Sequence, residues 1–167
     1  MTAAATAGNA VEGSGAADVV DGGGAADVVD GGGAVSPVRA AIRVVRAGSA
    51  DPSAPRARAE VHIAAAEPVF AGHYPDFPIF PGVCVVECVH RSALATAPGG
   101  GARPGAGLTL TSLDSARFVG AVFPGDLLGI DIKWTALDDG WKCEAQASTD
   151  RGVAAKVRLR YGTGGAA

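Results

Sequence analysis

The segment from Pro68 to Ala97 constrains this chain more than any other. Pro68, Pro75, Pro78 and Pro81 crowd its first half, and prolines at that density exclude a regular helix or a central strand. The pattern then changes abruptly. Gly82–Ala97 contains no proline and is mostly apolar on every side, so it reads as a buried helix of about four turns, ~24 Å long. Pro98 and the glycines at 99–101 end it. A single helix this apolar needs a sheet wrapped around it to keep it from water.

The flanking sequence supplies that sheet. Ala40–Arg46 and Ala57–Ala65 alternate apolar and polar residues, as half-buried strands do, with the loop GSADPSAP between them. Leu108–Phe118, Asp126–Thr135, Trp141–Thr149 and Val153–Tyr161 also read as strands, separated by the turn-like VGAVFPG, LDDG and DRG. Two strands, one buried helix and four strands make an α+β fold, an antiparallel sheet around one long central helix. Trp134 and Trp141 flank LDDG and are expected to pack across that hairpin.

The ends differ in composition. AADVVDGGG occurs twice in tandem, at Ala16–Gly24 and Ala25–Gly33, too few copies for a solenoid. The GGG blocks and paired aspartates make residues 1–35 an expected disordered acidic tail. Calcium-binding repeats are disfavoured because each unit lacks the fuller Gly- and Asp-rich pattern. The folded domain is expected over 36–162, with 163–167 a disordered C-terminus.

Charge and cysteine usage narrow the function. A net charge of -3 argues against a nucleic-acid partner. No apolar run approaches the ~20 residues that span a bilayer. The N-terminus lacks the basic and apolar regions of a signal peptide, so the cytoplasm is the expected compartment. Cys84, Cys88 and Cys143 show no disulfide framework. The spacing C-x-x-x-C-x-H invites a metal reading, but no second ligand pair follows, and no metal is expected. Small buried core residues account better for Cys84 and Cys88.

Gly72–Glu87, GHYPDFPIFPGVCVVE, carries the chemistry. His73 sits in a proline-stiffened loop and is the side chain best suited to be a base near neutral pH. Glu87 lies in the helix among Val83, Cys84, Val85, Val86, Cys88 and Val89, where a carboxylate is either paired or functional. Desolvation there would favour its protonated form and let it act as an acid. Pro81-Gly82 opens the helix, leaving free backbone N–H groups as a small anion hole. The competing reading makes His73 a surface residue and Glu87 a solvated or ion-paired one.

This segment resembles the signature of the FabZ-type 3-hydroxyacyl-acyl-carrier-protein dehydratases. Gly72, His73, Tyr74 in place of Phe, Pro75, Pro78, Ile79, Phe80, Pro81, Gly82, Val83 and Glu87 all fall at that family's spacing. Downstream, Asp114, Arg117, Phe118, Pro124, Gly125, Asp126 and Leu128 fall in register with its second conserved run. The resemblance implies a hotdog fold and a catalytic dyad of His73 and Glu87. Histidine would act on the α-carbon, and the acid would help the β-hydroxyl leave. Gly82, Val83, Phe80 and Tyr74 would bind substrate, with the Gly82 N–H polarising the thioester carbonyl. It also implies an acyl carrier protein as partner, no cofactor, and active sites shared across a dimer. Phe70, Tyr74, Phe77, Phe80 and Phe118 would line an acyl tunnel, with core packing the equal alternative for each.

Three departures stand out. Arg91 replaces the family's glutamine, one turn beyond Glu87. Glu before Arg at that spacing favours an ion pair that would weaken Glu87 as a proton donor, but an outward Arg91 is expected, meeting solvent, the carrier or a partner subunit. Asp76 stands where the family usually has glycine, close enough in sequence to affect His73. The family's N-terminal helix and following tunnel-bordering run are missing, with Pro37 and VRAAIRVV in their place.

The expected activity is therefore dehydration of a 3-hydroxyacyl thioester on acyl carrier protein, in fatty-acid or specialised polyketide or polyene synthesis. Two alternatives remain. One is a non-catalytic or half-catalytic subunit that pairs with a different hotdog chain. The other is a thioesterase on the same fold.

Overall fold

The computed structural model describes residues 36–47, 54–73, 76–98, 105 and 107–164. The tail reading of 1–35, residues 165–167 of the expected 163–167 C-terminus and the substrate role of Tyr74 lie outside these residues; Thr163 instead ends the last strand, and the Gly164 N–H donates to the Gly107 carbonyl at 2.7 Å.

The elements follow in the expected order. Strands β1 (Ile42–Arg46) and β2 (Arg56–His62) precede a 3-10 turn at Pro68–Ala71 and helix α1 (Gly82–Ala95). Strands β3 (Leu108–Phe118), β4 (Leu127–Leu137), β5 (Gly140–Thr149) and β6 (Gly152–Thr163) complete the chain. They form one six-stranded sheet in the order β1-β2-β4-β5-β6-β3. All five pairings are antiparallel.

Local chemistry explains where boundaries moved. The helix stops at Ala95, two residues early, because the Thr96 hydroxyl donates to the Ser92 carbonyl at 2.8 Å and closes the last turn. Strand β1 begins at Ile42 rather than Ala40 because the Ala40 carbonyl is taken by Arg91 at 3.0 Å. Strand β2 ends at His62 rather than Ala65, where Gly125 donates to the Ile63 carbonyl at 2.7 Å and Ile63 to Asp126 at 2.9 Å.

The core lies between the sheet and α1. Ala57, Ala59 and Val61, then Leu128, Ile130, Ile132 and Trp134, then Cys143, Ala145 and Ala147 point inward on successive strands. Alternation of period two places these apolar side chains on one face. Val157, Leu159 and Tyr161 continue the layer on β6. Trp134 meets Trp141 edge-on at 6.3 Å across the β4–β5 hairpin, as the sequence suggests, and packs on Tyr161 at 5.6 Å. His90 Nδ1 lies 2.9 Å from the Tyr161 hydroxyl and ties the helix to β6.

The helix departs from expectation in one respect. Only one stripe is fully buried: Cys84, Val85, Cys88, Val89, Ser92 and Ala93. Val83 is 71% exposed, and Val86, Glu87, His90 and Arg91 are half-buried. One sheet covers one side of a helix, so apolarity on the other side goes uncovered within the single chain. All three cysteines are buried free thiols, in accord with the core reading.

Candidate active site

Helix α1 starts without a side-chain cap. Pro81 is the N-cap in an extended conformation, and its carbonyl receives Cys84 N–H at 2.9 Å and Val85 N–H at 3.1 Å. The N–H groups of Gly82 and Val83 precede those bonds and have no intrahelical acceptor, so they present the positive end of the helix. Gly82 is closely approached by its neighbour. A Cβ on it would lie 2.8 Å from Cζ of Phe118 and 3.0 Å from both Cε atoms. The last residue of β3 thus lies directly on the helix start.

The loop before the helix is anchored from below. Phe80 is 2% exposed, its ring 5.8 Å from that of Phe70 and its N–H bonded to the Val122 carbonyl at 2.8 Å. Anything Phe80 contributes to a substrate wall comes from a fixed core position. Phe77 is exposed and packs edge-on against Phe123 at 6.0 Å. His73 follows the turn at Pro68–Ala71 and is half-buried. Asp76 is exposed.

Glu87 lies in the second helical turn, and Ser36 Oγ is 2.8 Å from its Oε1. Arg91 turns neither to Glu87 nor outward. Its Nη1 donates to the carbonyls of Val38 at 2.9 Å and Ala40 at 3.0 Å. This corrects the expected orientation, and the reason is local. The strap from Ser36 to Ala40 turns the Val38 and Ala40 carbonyls toward Arg91, and a guanidinium offers donors in a fixed fork. Glu67, only 5% exposed, fastens the same strap by accepting the Arg39 N–H at 3.0 Å. Ser36 was missed by sequence reasoning. Its Ser-Pro-Val context signals a local turn, seen as Val38 N–H donating to Ser36 Oγ at 3.2 Å. Nothing local marks a partner 51 residues away.

Three residues of the downstream motif hold turns and strands together. Asp126 accepts the Phe123 N–H at 2.7 Å and pairs with Arg151, while Gly125 takes φ 90° to make the turn. Asp114 joins Arg160 at 2.8 Å across β3 and β6. Burial pushes the thiols of Cys88 and Cys143 up to about 12, so they remain protonated and inert.

A groove of about 590 Å³ lies on the outer face of the sheet. Arg56, Arg117, Lys133 and Lys156 are among its lining residues, and His73, Gly82 and Glu87 are not. It is set apart from the acid, the histidine and the helix N-terminus.

An antiparallel sheet around one central helix, with a free helix N-terminus behind a histidine loop, defines a hotdog protein. A family model described as ApeI-like, ApeI dehydratase, matches residues 49–156, and the chain belongs to that family. The 3-hydroxyacyl-(acyl-carrier-protein) dehydratase FabZ of Cupriavidus metallidurans is 36% identical over 96 residues, which is 56% of this chain and 64% of that protein. The matched span is therefore just under two thirds of that relative's length. Among solved structures, the dehydratase heterocomplex ApeI:P from Xenorhabdus doucetiae has a chain with TM-score 0.55 and 18% identity, covering 71% of this chain and 96% of that one. The (R)-hydratase from A. caviae has TM-score 0.51 and 21% identity, covering 72% and 98%. These two likenesses concern the fold.

Proposed function

We propose that this protein dehydrates a 3-hydroxyacyl thioester carried on acyl carrier protein to the trans-2-enoyl thioester. The observation that carries the reading is His73, the Gly82 helix start and Glu87 within one span of a family-matched dehydratase domain. The α-proton is a very weak acid until the carbonyl oxygen is stabilised as it becomes enolate-like. The uncapped N–H groups at Gly82 and Val83 supply that stabilisation. His73 takes the α-proton, the β-carbon–oxygen bond breaks, and Glu87 delivers a proton to the departing hydroxyl, which leaves as water. Return of the proton from His73 to Glu87 through solvent resets both groups. The chemistry calls on no metal or redox cofactor. Tyr74 and Phe80 border the acyl chain in this reading. The missing family run beside the tunnel favours a specialised polyketide or polyene substrate over housekeeping lipid synthesis. No helix among the described residues is long and apolar enough to cross a membrane, in keeping with a cytoplasmic place of work.

The test is incubation with a 3-hydroxyacyl carrier protein or thioester surrogate while enoyl formation is followed. His73→Ala abolishes the product; unchanged activity removes the dyad.

A second reading is supported by the β3 edge. That strand pairs only with β6 among the described residues, and Leu110, Leu113, Phe118 and Val119 on and beside it are exposed. Subunit pairing would cover them together with Val83. The partner in this reading is a second copy or another hotdog chain that completes the dyad, and the fold neighbour ApeI:P, a dehydratase heterocomplex, is in keeping with it. Light scattering of the purified chain, alone active as a homodimer or inactive until mixed, separates the two.

A further inference from the structure

The strap at Ser36–Ala40 does more than lead into the first strand. It is fastened at three points, by Glu67 to the Arg39 N–H and by Arg91 to the carbonyls of Val38 and Ala40. Its first residue meets Glu87, the proposed acid. We infer that Ser36 is a positioning residue for Glu87: its hydroxyl holds Oε1 so that the other carboxyl oxygen is the one presented to substrate. This rests on the dehydration reading and adds to it the group that orients the acid.

The geometry favours the carboxyl over the local alternative. The single hydroxyl proton has two acceptors, Glu87 Oε1 at 2.8 Å and the Val38 carbonyl at 3.1 Å. The Ser36 lone pairs receive the Val38 N–H at 3.2 Å, which sets the hydroxyl facing the helix. The nearer acceptor lies across the fold. Glu87 has several rotatable bonds and is half-buried, so without a partner its carboxyl samples orientations that cannot reach a substrate hydroxyl. Catalytic groups must be held close to their productive geometry by neighbours that are themselves fixed. Arg91 and Glu67 fix Ser36 through the strap backbone. Arg91 occupies the position of the family's glutamine and binds the strap instead of the acid.

The experiment uses the full chain with Ser36→Ala, Ser36→Thr, Glu87→Gln and the double variant. Ser36→Ala is expected to lower kcat roughly five- to tenfold, the scale of one lost hydrogen bond, with KM and melting temperature little changed. Ser36→Thr, which keeps the hydroxyl, restores most of the loss. In a Glu87→Gln background, Ser36→Ala has no further effect. The ¹³C carboxyl resonance of Glu87 moves in Ser36→Ala and returns in Ser36→Thr. Unchanged kcat in Ser36→Ala, or an equal loss in the Glu87→Gln background, overturns the positioning role. A wild-type chain that makes no enoyl product, under any pairing, overturns the dehydration reading instead. In that case the carboxyl resonance still reports on the contact, and its indifference to Ser36→Ala overturns the orientation as well.

Discussion

Glu87 and Arg91 lie one helical turn apart on α1, and each is joined to the strap at 36–40 rather than to the other. Ser36 Oγ meets Glu87, while Arg91 holds the carbonyls of Val38 and Ala40. A favourable helical ion pair is worth only about 0.2–0.5 kcal/mol, whereas a charged donor on a half-buried carbonyl contributes more. The chain takes the larger gain, and Glu87 keeps its oxygens for other partners.

Arg91→Ala is accordingly expected to lower stability by about 1–3 kcal/mol, because in a partly buried setting it leaves the Ala40 carbonyl without a donor and the Val38 carbonyl with only the Ser36 hydroxyl. Arg91→Lys should recover part of this, since an ammonium lacks the fork that spans both oxygens. Urea denaturation measures both values. A neutral Arg91→Ala would mean that water replaces the guanidinium without loss.

Gly82→Ala should separate stability from activity. The added Cβ meets the ring end of Phe118, which is half exposed and can swing aside, so the expected destabilisation is below ~1 kcal/mol. The same methyl and displaced ring crowd the N–H groups proposed to hold the thioester oxygen. Enoyl formation should fall about ten- to a hundredfold. Comparing thermal melts with initial rates checks both halves.

Ser92 presents the opposite case. Its hydroxyl is fully buried against the sheet with no hydrogen-bond partner among the described residues, and it sits within the helix. Ser92→Ala removes an unsatisfied polar group and improves helix propensity, so stability should rise by about 0.5–1.5 kcal/mol. A fall in the urea midpoint would point to a buried water that satisfies Ser92.

The cysteines should be silent toward thiol reagents. Cys84, Cys88 and Cys143 are buried, and burial raises each thiol above its ordinary range. Titration with a chromogenic disulfide at mildly alkaline pH is expected to find none reactive in the native protein and all 3 after denaturation. A rapidly reacting native Cys84 or Cys88 would show that α1 opens locally, and a reactive Cys143 that the sheet does.

Acid sensitivity should map to the β3–β6 edge. Hydrogen bonds from Arg160, then Ser112, hold the Asp114 carboxyl below its usual range. A depressed acid stabilises the fold above its unfolded value and stops doing so as pH falls through the folded one. The stability difference between wild type and Asp114→Asn should therefore shrink below about pH 4. Melting temperatures across that range provide the measurement.

The helix and the sheet were legible in the chain because each is written in a strong local code. Proline density gave way to a mostly apolar run at Gly82, period-two alternation marked the first two strands, and turn segments set off the last four. Trp134 and Trp141 were readable as a hairpin pair because the turn-like LDDG lies between them. Arg91 was not readable, since its acceptors are backbone carbonyls whose presence depends on where β1 begins pairing. Ser36 was hidden for a similar reason. It stands beside a repeat-rich stretch, and its partner is 51 residues distant. The uneven burial of α1 depends on what covers Val83 and the β3 edge, which no run of residues in one chain encodes.

The family match spans residues 49–156, yet the strap that grips α1 precedes it. A shortened protein cut to the matched span would retain His73, Gly82 and Glu87 and lose Ser36, Val38 and Ala40. Relatives that share the span can thus diverge through their leaders alone, as one engine body runs differently under different ignition timing. On the proposed role of Ser36, leader exchange between family members is expected to alter catalysis with His73 and Glu87 unchanged.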